Sequence, residues 1–142
     1  MLDGDHLIAA NPPPPDEVGY LHAILALLID HHRRFGYLHF VITHFWRTSA
    51  ELDDLRGRLC EVDAKVDIRC FLLVLSLDDN LRRIQRRQSA RALDEQEFEQ
   101  RTVMQERGIL SKAGDDHLGD PFDASASPEE LVETLLSRLG IR

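Results

Sequence analysis

The feature that most limits the fold of this chain is an almost uninterrupted apolar run from Ile68 to Leu75. Only Arg69 within the run carries a charge. A strand with one face in solvent alternates apolar and polar residues, whereas a strand covered on both faces is apolar throughout, as in parallel sheets. The run therefore predicts a buried strand of a parallel sheet.

The segments on either side of this strand alternate between helical and extended patterns. Predicted helices span about 16–35, 48–59, 76–88, 94–107 and 127–139, and the other predicted strands span about 38–43 and 121–124. Acidic or hydroxyl residues open these helices, and Gly36 and Gly140, which can adopt the left-handed conformation, end the first and the last. Strands that alternate with helices indicate βαβ units, so we expect an α/β fold with a parallel sheet.

The charge of the chain restricts its partners. Acidic residues outnumber basic ones and give a formal net charge of -8, whereas a general nucleic-acid binder needs a basic surface. The arginines are nevertheless concentrated in one segment, which contains Arg82, Arg83, Arg86, Arg87 and Arg91. Guanidinium groups bind phosphate in a bidentate manner, so we expect an anion site in this segment and no nucleic-acid partner.

The cysteines and the apolar stretches indicate the compartment. Cys60 and Cys70 make no metal-ligand spacing and no disulfide framework, so a reducing environment is the simplest assumption, and we expect both thiols in the core. The first residues have neither the basic nor the apolar region of a signal peptide. The longest apolar stretch, Leu21 to Ile29, is too short to cross a bilayer. We therefore expect a cytoplasmic protein with no membrane partner.

Three stretches of the chain, taken in order, resemble one enzyme group. Residues 2–7, Leu-Asp-Gly-Asp-His-Leu, resemble the segment after the second strand of adenylylsulfate kinase and related P-loop phosphotransferases. Residues 71–91 resemble the fourth strand, the following helix and the arginine-bearing lid of that superfamily, and residues 122–131 resemble its closing strand and adenine-side loop. Shikimate kinase and chloramphenicol phosphotransferase belong to the same broad group. The resemblance implies one kinase-like α/β domain over residues 1–142, with a three-layer parallel sheet and a lid-like segment over 82–107.

The sequence departs from this group at its beginning. The superfamily starts with a strand, a glycine-rich loop ending in Gly-Lys-Ser or Gly-Lys-Thr, and a helix, all ahead of the acidic pair. No glycine in these 142 residues is followed by lysine, so the loop whose backbone amides bind the phosphates is absent from them. The missing strand is central in the resembled fold, between the strands at about 38–43 and 68–75. Another segment fills this gap, the two neighbours pair directly, or residues before Met1 supply the strand. We favour the last explanation.

The acidic pair and the arginine segment supply the first candidate sites. By the resemblance, Asp3 and Asp5 coordinate Mg²⁺ or take the proton from a substrate hydroxyl, and a carboxylate can do either. The alternative is a solvated turn. The resemblance also implies that Arg83, Arg87 and Arg91 close over the nucleotide and neutralise charge on the transferred phosphoryl group. The alternative there is a charged helix surface.

The last loop is a candidate for nucleotide binding. If it matches the adenine-side loop of the resembled group, Ser125, Ala126 and Pro128 line the adenine pocket, and Arg87 approaches the nucleotide from the lid. The alternative is a plain helix cap, because Ser127 and Glu130 have the spacing of a capping box.

The residues after the predicted strand at about 38–43 are a candidate acceptor pocket. Open parallel sheets bind ligands at the carboxyl ends of their strands. His44, Trp46 and Arg47 follow this strand and would supply a hydrogen-bonding imidazole, a stacking ring and an anion clamp. The alternative is a tryptophan that packs on a neighbouring helix.

The resemblance implies an ATP-dependent phosphotransferase, with ATP and Mg²⁺ as cofactors and a small hydroxyl-bearing molecule as acceptor. Because the phosphate-binding loop is absent, we expect the 142 residues alone to be inactive. The alternative is a non-catalytic, degenerate kinase-like protein that acts as a homodimer or as a partner-binding module. A third hypothesis is an unrelated α/β domain.

Overall fold

The computed structural model describes residues 1–87, 93–113 and 117–141. Within these ranges the chain is α/β, with six helices and two short parallel sheets of two strands each. The chain divides into two compact units. Unit 1 is Met1–Arg69 with a short segment that ends at Leu118, and unit 2 is the remainder from Cys70 onward. The predicted α/β class and the parallel strand direction are confirmed, whereas the single domain over 1–142 and the lid over 82–107 stay predictions.

Unit 1 contains one of the two parallel sheets and three helices. Its elements in chain order are β1 (Leu2–Asp3), α1 (Gly4–Leu7), α2 (Glu17–Arg34), β2 (Ile42–Thr43) and α3 (Ser49–Val62). β1 and β2 pair in parallel, with Leu2 opposite Ile42 and Asp3 opposite Thr43. The strand predicted over 38–43 is reduced to two residues, because β1 offers only two residues with which to pair.

The ends of the long helices in unit 1 follow local sequence signals. The carboxylate of Asp16 caps α2 by accepting a backbone N–H of the first turn, and Gly36 just beyond α2 is left-handed, with φ 87°. The hydroxyl of Thr48 caps α3 by accepting the N–H of Glu51 at 3.3 Å. The carboxylate of Glu51 accepts the N–H of Arg47 at 2.7 Å, one residue before the backbone N–H that a capping box would use.

The core of unit 1 lies between α2 and α3. Leu21, Leu25 and Ile29 from α2 form one buried cluster with Leu55 and Leu59 from α3. Each such side chain contributes about 1.5–3 kcal/mol through the apolar surface that it removes from water. Leu2 of β1 and Ile42 of β2 pack against this cluster, so the helix pair supports the sheet.

Unit 2 contains the second parallel sheet and the other three described helices. Its elements are β3 (Phe71–Val74), α4 (Leu77–Arg87), α5 (Leu93–Ala113), β4 (Asp120–Asp123) and α6 (Pro128–Leu139). β3 and β4 pair in parallel over their four residues. α6 begins with the predicted capping box of Ser127 and Glu130 and ends at the left-handed Gly140.

Side-chain contacts attach the helices of unit 2 to its sheet. The ring of Phe71 lies edge-on to that of Phe122, with centroids 5.9 Å apart. The guanidinium of Arg138, near the end of α6, lies 5.1 Å from the centre of the Phe122 ring. Arg107 of α5 donates a hydrogen bond of 2.9 Å to the carbonyl of Leu75, just after β3.

The predicted burial of the apolar run is wrong at its carboxyl end. Leu73 and Val74 are 68% and 48% exposed. Adjacent residues of a strand point to opposite faces, so both faces of β3 are partly open here. Among the described residues β3 has one neighbouring strand, β4. The sequence pattern indicated cover on both faces, which these neighbours do not provide.

The cysteines also differ from expectation. Cys60 on α3 is exposed and Cys70 is only partly covered, so the prediction of two core thiols is wrong. Cys60 lies on α3 next to the core residue Leu59, and neighbouring helix positions point in directions about 100° apart.

Candidate functional site

The carboxyl ends of β1 and β2 bring predicted site residues together. The two strands are parallel and in register, so the residues that follow them emerge at the same edge of the sheet. Asp5 lies two residues beyond β1, and His44 directly follows β2. The Nδ1 atom of His44 is 3.0 Å from the Oδ1 atom of Asp5. A predicted catalytic carboxylate therefore contacts a predicted acceptor-pocket residue.

Gly4 makes this contact sterically feasible. A Cβ atom at residue 4 would lie 2.8 Å from the Cβ of His44, closer than real Cβ contacts allow. Gly4 is buried under the imidazole, and the side chain of His44 is 13% exposed while that of Asp5 is 80% exposed. Asp5 consequently presents an open carboxylate whose inner oxygen is held by a covered imidazole.

Asp3 has a partly structural role. Its Oδ1 atom accepts the N–H of Asp5 at 3.1 Å and so caps the short helix α1. Its other oxygen, Oδ2, lies 3.6 Å from Nδ1 of the exposed His6. The first turn therefore holds two carboxylates, of which Asp3 is committed in part to the backbone and Asp5 is more open.

The acidic pair was also predicted to bind a metal ion. No group of three or more His, Cys, Asp or Glu side chains placed to hold a metal occurs in residues 1–87, 93–113 and 117–141. Mg²⁺ commonly takes only one or two protein carboxylates and completes its shell with water and phosphate oxygens. The oxygen donors of Asp3 and Asp5 fit such an ion by their chemistry.

Trp46 packs edge-on against His44 and is also held from the interior. The two ring centroids are 5.2 Å apart, at an interplanar angle of 80°. The indole Nε1–H of Trp46 donates to Nε2 of His22, 3.0 Å away. Trp46 is half-buried and also packs against the core of unit 1. The ring therefore packs on a helix, as the alternative interpretation expected, while its place in an acceptor pocket stays a prediction.

His22 is the residue that sequence reasoning missed. It is fully buried in α2, although its neighbours Leu21 and Leu25 are apolar. Its Nδ1 atom lies 2.6 Å from Oδ2 of Asp54, which also accepts a hydrogen bond of 2.8 Å from Nε of Arg58. The only available signal was a histidine placed inside an apolar helix stripe, which gives no indication of its partners.

Asp54 is ionised more readily than an ordinary aspartate. The hydrogen bond from His22, and after it the one from Arg58, lowers the pKa of Asp54 below the usual 3.8. Both partners stabilise the charged carboxylate. Asp54 is therefore an anionic anchor at the outer end of the contacts that lead through His22 to Trp46.

Arg47, the third predicted pocket residue, contributes differently. Its side chain is exposed, and its backbone N–H donates to the carboxylate of Glu51 at the start of α3. The structure thus brings His44 and Trp46 together, while the assignment of Arg47 as an anion clamp stays a prediction.

In unit 2, a predicted lid arginine meets the predicted adenine-side loop. The Nη2 atom of Arg83 donates to the carbonyl of Ala124 at 2.6 Å, and it lies 3.5 Å and 3.4 Å from the carbonyls of Ser125 and Ala126. α4 follows β3 and this loop follows β4, so the contact lies at the carboxyl end of the second sheet. Arg83 holds the loop here, and its action on a phosphoryl group stays a prediction.

The other residues of the last loop serve the backbone. The carboxylate of Asp123 accepts the N–H of Ser125 at 2.9 Å, and this bond lowers the pKa of Asp123. Pro128 occupies the first turn of α6, after the cap formed by Ser127. Ser125, Ala126 and Pro128 are exposed, so the helix-cap interpretation is confirmed while the adenine pocket stays a prediction.

The two remaining lid arginines are described less fully. Arg87 is the last residue of α4. Arg91 lies outside the described residues. Their predicted action on the nucleotide stays a prediction.

No protein-family model, no curated protein and no solved structure matches this chain. Among the described helices, none is both long enough and apolar enough to span a bilayer. The cytoplasmic location stays a prediction.

Proposed function

We propose that this chain is the larger part of an ATP-dependent phosphotransferase domain of the P-loop small-molecule kinase type, acting on a small hydroxyl-bearing acceptor. The observation that carries the proposal is the 3.0 Å contact between Asp5 and His44 at the carboxyl ends of two parallel strands. An acid-base group, an imidazole and the Trp46 ring meet where open parallel sheets bind ligands.

The strand pairing supports this proposal. β1 pairs with β2 and β3 pairs with β4, each in parallel. Side-by-side parallel pairing of this kind is also what the resembled three-layer fold requires of its strands.

The residues of the site would divide the chemistry between them. Asp5 would accept the proton of the substrate hydroxyl, and the imidazole of His44 would orient its carboxylate. Asp3 and Asp5 would hold Mg²⁺, which neutralises the charge of the phosphoryl group when bound. Trp46 would contact the acceptor with its ring. Arg83, Arg87 and Arg91 would approach ATP from the lid.

Phosphoryl transfer can be tested with a longer protein that also contains the residues encoded in frame upstream of Met1. The assay measures ADP release in the presence of each of a panel of small alcohols. Asp5→Asn should lower kcat by about 10²–10⁴-fold, the usual contribution of a positioned general base. The matched control is Asp53→Asn, because Asp53 is an exposed α3 carboxylate paired with Arg56. Activity that survives Asp5→Asn unchanged would contradict the proposed role.

Nucleotide binding by the 142 residues alone is a second test. Because the glycine-rich loop is not among them, isothermal titration with ATP and Mg²⁺ should show no micromolar binding. Micromolar binding would mean that these residues already contain a complete nucleotide site. The proposal that the phosphate-binding part of the domain lies outside them would then be wrong.

The second candidate function is a non-catalytic homodimerisation module. It is favoured by the exposure of Leu73 on β3, which pairs on one edge only within the part of the chain that the structure describes, since unpaired edges can pair with another chain. Sedimentation equilibrium would decide between the candidates. A dimer that dissociates with Leu73→Lys, but not with Leu27→Lys on the equally exposed α2 surface, would favour the module.

A further inference from the structure

The buried histidine of unit 1 has a defined protonation pattern. His22 is fully buried, and each of its two ring nitrogens has one partner, Asp54 at Nδ1 and Trp46 at Nε2. An indole nitrogen can only donate a hydrogen bond. Nε2 of His22 must therefore accept and carries no proton. The neutral ring then has its proton on Nδ1, which donates to the carboxylate of Asp54.

This pattern gives the contacts a direction. Arg58 and His22 both donate to Asp54, and Trp46 donates to His22. The anionic Asp54 holds the proton of His22 on Nδ1. Nε2 is then unprotonated, and it accepts the hydrogen bond that the indole N–H of Trp46 donates. We call Asp54, His22 and Trp46 the His22 cluster.

The His22 cluster connects three elements of unit 1. Asp54 lies on α3, His22 lies on α2, and Trp46 lies in the segment that joins β2 to α3. The Trp46 ring lies nearly perpendicular to the ring of His44, whose Nδ1 contacts Asp5. A displacement of the indole would therefore change the surroundings of the His44–Asp5 pair.

We propose that His22, in its Nδ1–H tautomer, is a positioning residue that fixes the indole of Trp46 and thereby the acceptor side of the candidate site. Its catalytic consequence rests on the proposed phosphotransferase function, whereas its structural part does not. A histidine that merely fills space in the core would need only the right volume and some hydrogen-bond partner for each ring nitrogen. A positioning residue needs one particular nitrogen to accept from Trp46.

Two substitutions at position 22 separate these roles. His22→Gln can place an amide oxygen near the Nε2 position and so keep an acceptor for the indole. His22→Asn can place an amide nitrogen near the Nδ1 position, which keeps the donor to Asp54 but leaves the indole N–H without an acceptor. The control is His31→Asn, because His31 is an exposed histidine on the same helix.

The readout is direct because Trp46 is the only tryptophan in the sequence. Its indole N–H gives one resonance, and hydrogen exchange at that proton measures the bond to His22. Exchange should accelerate at least about tenfold in His22→Asn, corresponding to about 1.4 kcal/mol. It should change by less than about threefold in His22→Gln and in the control, since both keep the acceptor. The ring resonances of His44 should shift in His22→Asn alone.

A variant outside the core covers the case in which His22→Asn does not fold. Asp54 is half-exposed, so Asp54→Ala removes the anchor without a cavity in the core. It should accelerate indole exchange several-fold, whereas Asp53→Ala on the same helix should not. Wild-type exchange in both His22→Asn and Asp54→Ala, or in the one that folds, would overturn the proposal, as would equal acceleration in His22→Asn and His22→Gln.

The catalytic part is measured separately in the active protein. His22→Asn should raise KM for the acceptor about tenfold and leave KM for ATP within about twofold, with His22→Gln close to wild type. Equal changes in KM for the acceptor and KM for ATP would indicate that His22 has a general structural role and does not position the acceptor side of the site. If wild-type protein transfers no phosphate, the proposed function fails, while the exchange data still decide whether His22 holds Trp46.

Discussion

Replacement of Gly4 by alanine would test the close approach on which the candidate site depends. In the structure, a Cβ at residue 4 would lie 2.8 Å from Cβ and Nδ1 of His44 and 2.9 Å from its Cγ. Carbon atoms in favourable contact are about 3.5–4.0 Å apart, so His44 or α1 would have to move by roughly 1 Å. Rotation of the ring cannot relieve the contact, because Cβ of His44 is bonded directly to the backbone.

Two opposing terms set the magnitude. An extra methyl group in a packed region costs about 1–3 kcal/mol. Replacing glycine by alanine in a helix gains about 0.5–1 kcal/mol, because alanine loses less backbone entropy on folding. The difference between the two terms is centred on a net cost, so Gly4→Ala should lower the free energy of unfolding by about 1 kcal/mol. Gly57 in α3 is the control, since a Cβ there meets no atom within 4 Å, and Gly57→Ala should raise stability by about 0.5–1 kcal/mol.

Urea denaturation followed by Trp46 fluorescence measures both variants, because this tryptophan and both glycines lie in unit 1. The two urea midpoints should move in opposite directions from wild type. A Gly4→Ala protein as stable as wild type, alongside a stabilised Gly57→Ala protein, would refute the packing of His44 on Gly4. An unchanged Gly57→Ala midpoint would instead show that the helix-propensity term is overestimated.

Three further predictions concern stability. Leu25→Ala should cost about 2–5 kcal/mol in urea denaturation, because Leu25 is fully buried, whereas Leu27→Ala, at 68% exposure, should change it by less than about 0.5 kcal/mol; similar losses would contradict the core assignment. Ser127→Ala removes the cap of α6 and should cost about 1 kcal/mol in thermal unfolding followed by circular dichroism; an unchanged midpoint would argue against the cap. The hydrogen bond from His22 lowers the pKa of Asp54, so its contribution is present above the ordinary pKa of 3.8 and is lost as pH falls through the lower folded-state value. Stability should accordingly fall less steeply in Asp54→Ala than in wild type below about pH 4 in acid denaturation, and parallel curves would exclude this contribution.

The meeting of the acidic pair with the pocket residues could be anticipated from their positions in the sequence. The acidic pair and the pocket residues were each expected to follow a strand, and residues that follow neighbouring parallel strands emerge at one edge. The contact between Asp5 and His44 is the outcome. The role of His22 did not follow, because its partners Trp46 and Asp54 lie 24 and 32 positions away, and nothing in the surrounding apolar stripe identifies them.

The apolar run gives the opposite case. Its composition correctly indicated a strand of a parallel sheet. The exposure of Leu73 and Val74 depends on which elements cover β3. A sequence pattern records the apolar surface that a strand carries, but it does not supply the neighbours that bury this surface.

The sequence by itself determined the ends of α2 and α6, because capping bonds join residues only a few positions apart, whereas α5 runs on to Ala113, beyond its predicted end at 107. Asp16, Gly36, Ser127 and Gly140 therefore act as expected. It also determined the α/β class through the alternation of apolar patterns. Only the tertiary structure decided which side chains meet, since contacts such as that of His22 with Trp46 form when separate helices and strands pack around a shared core.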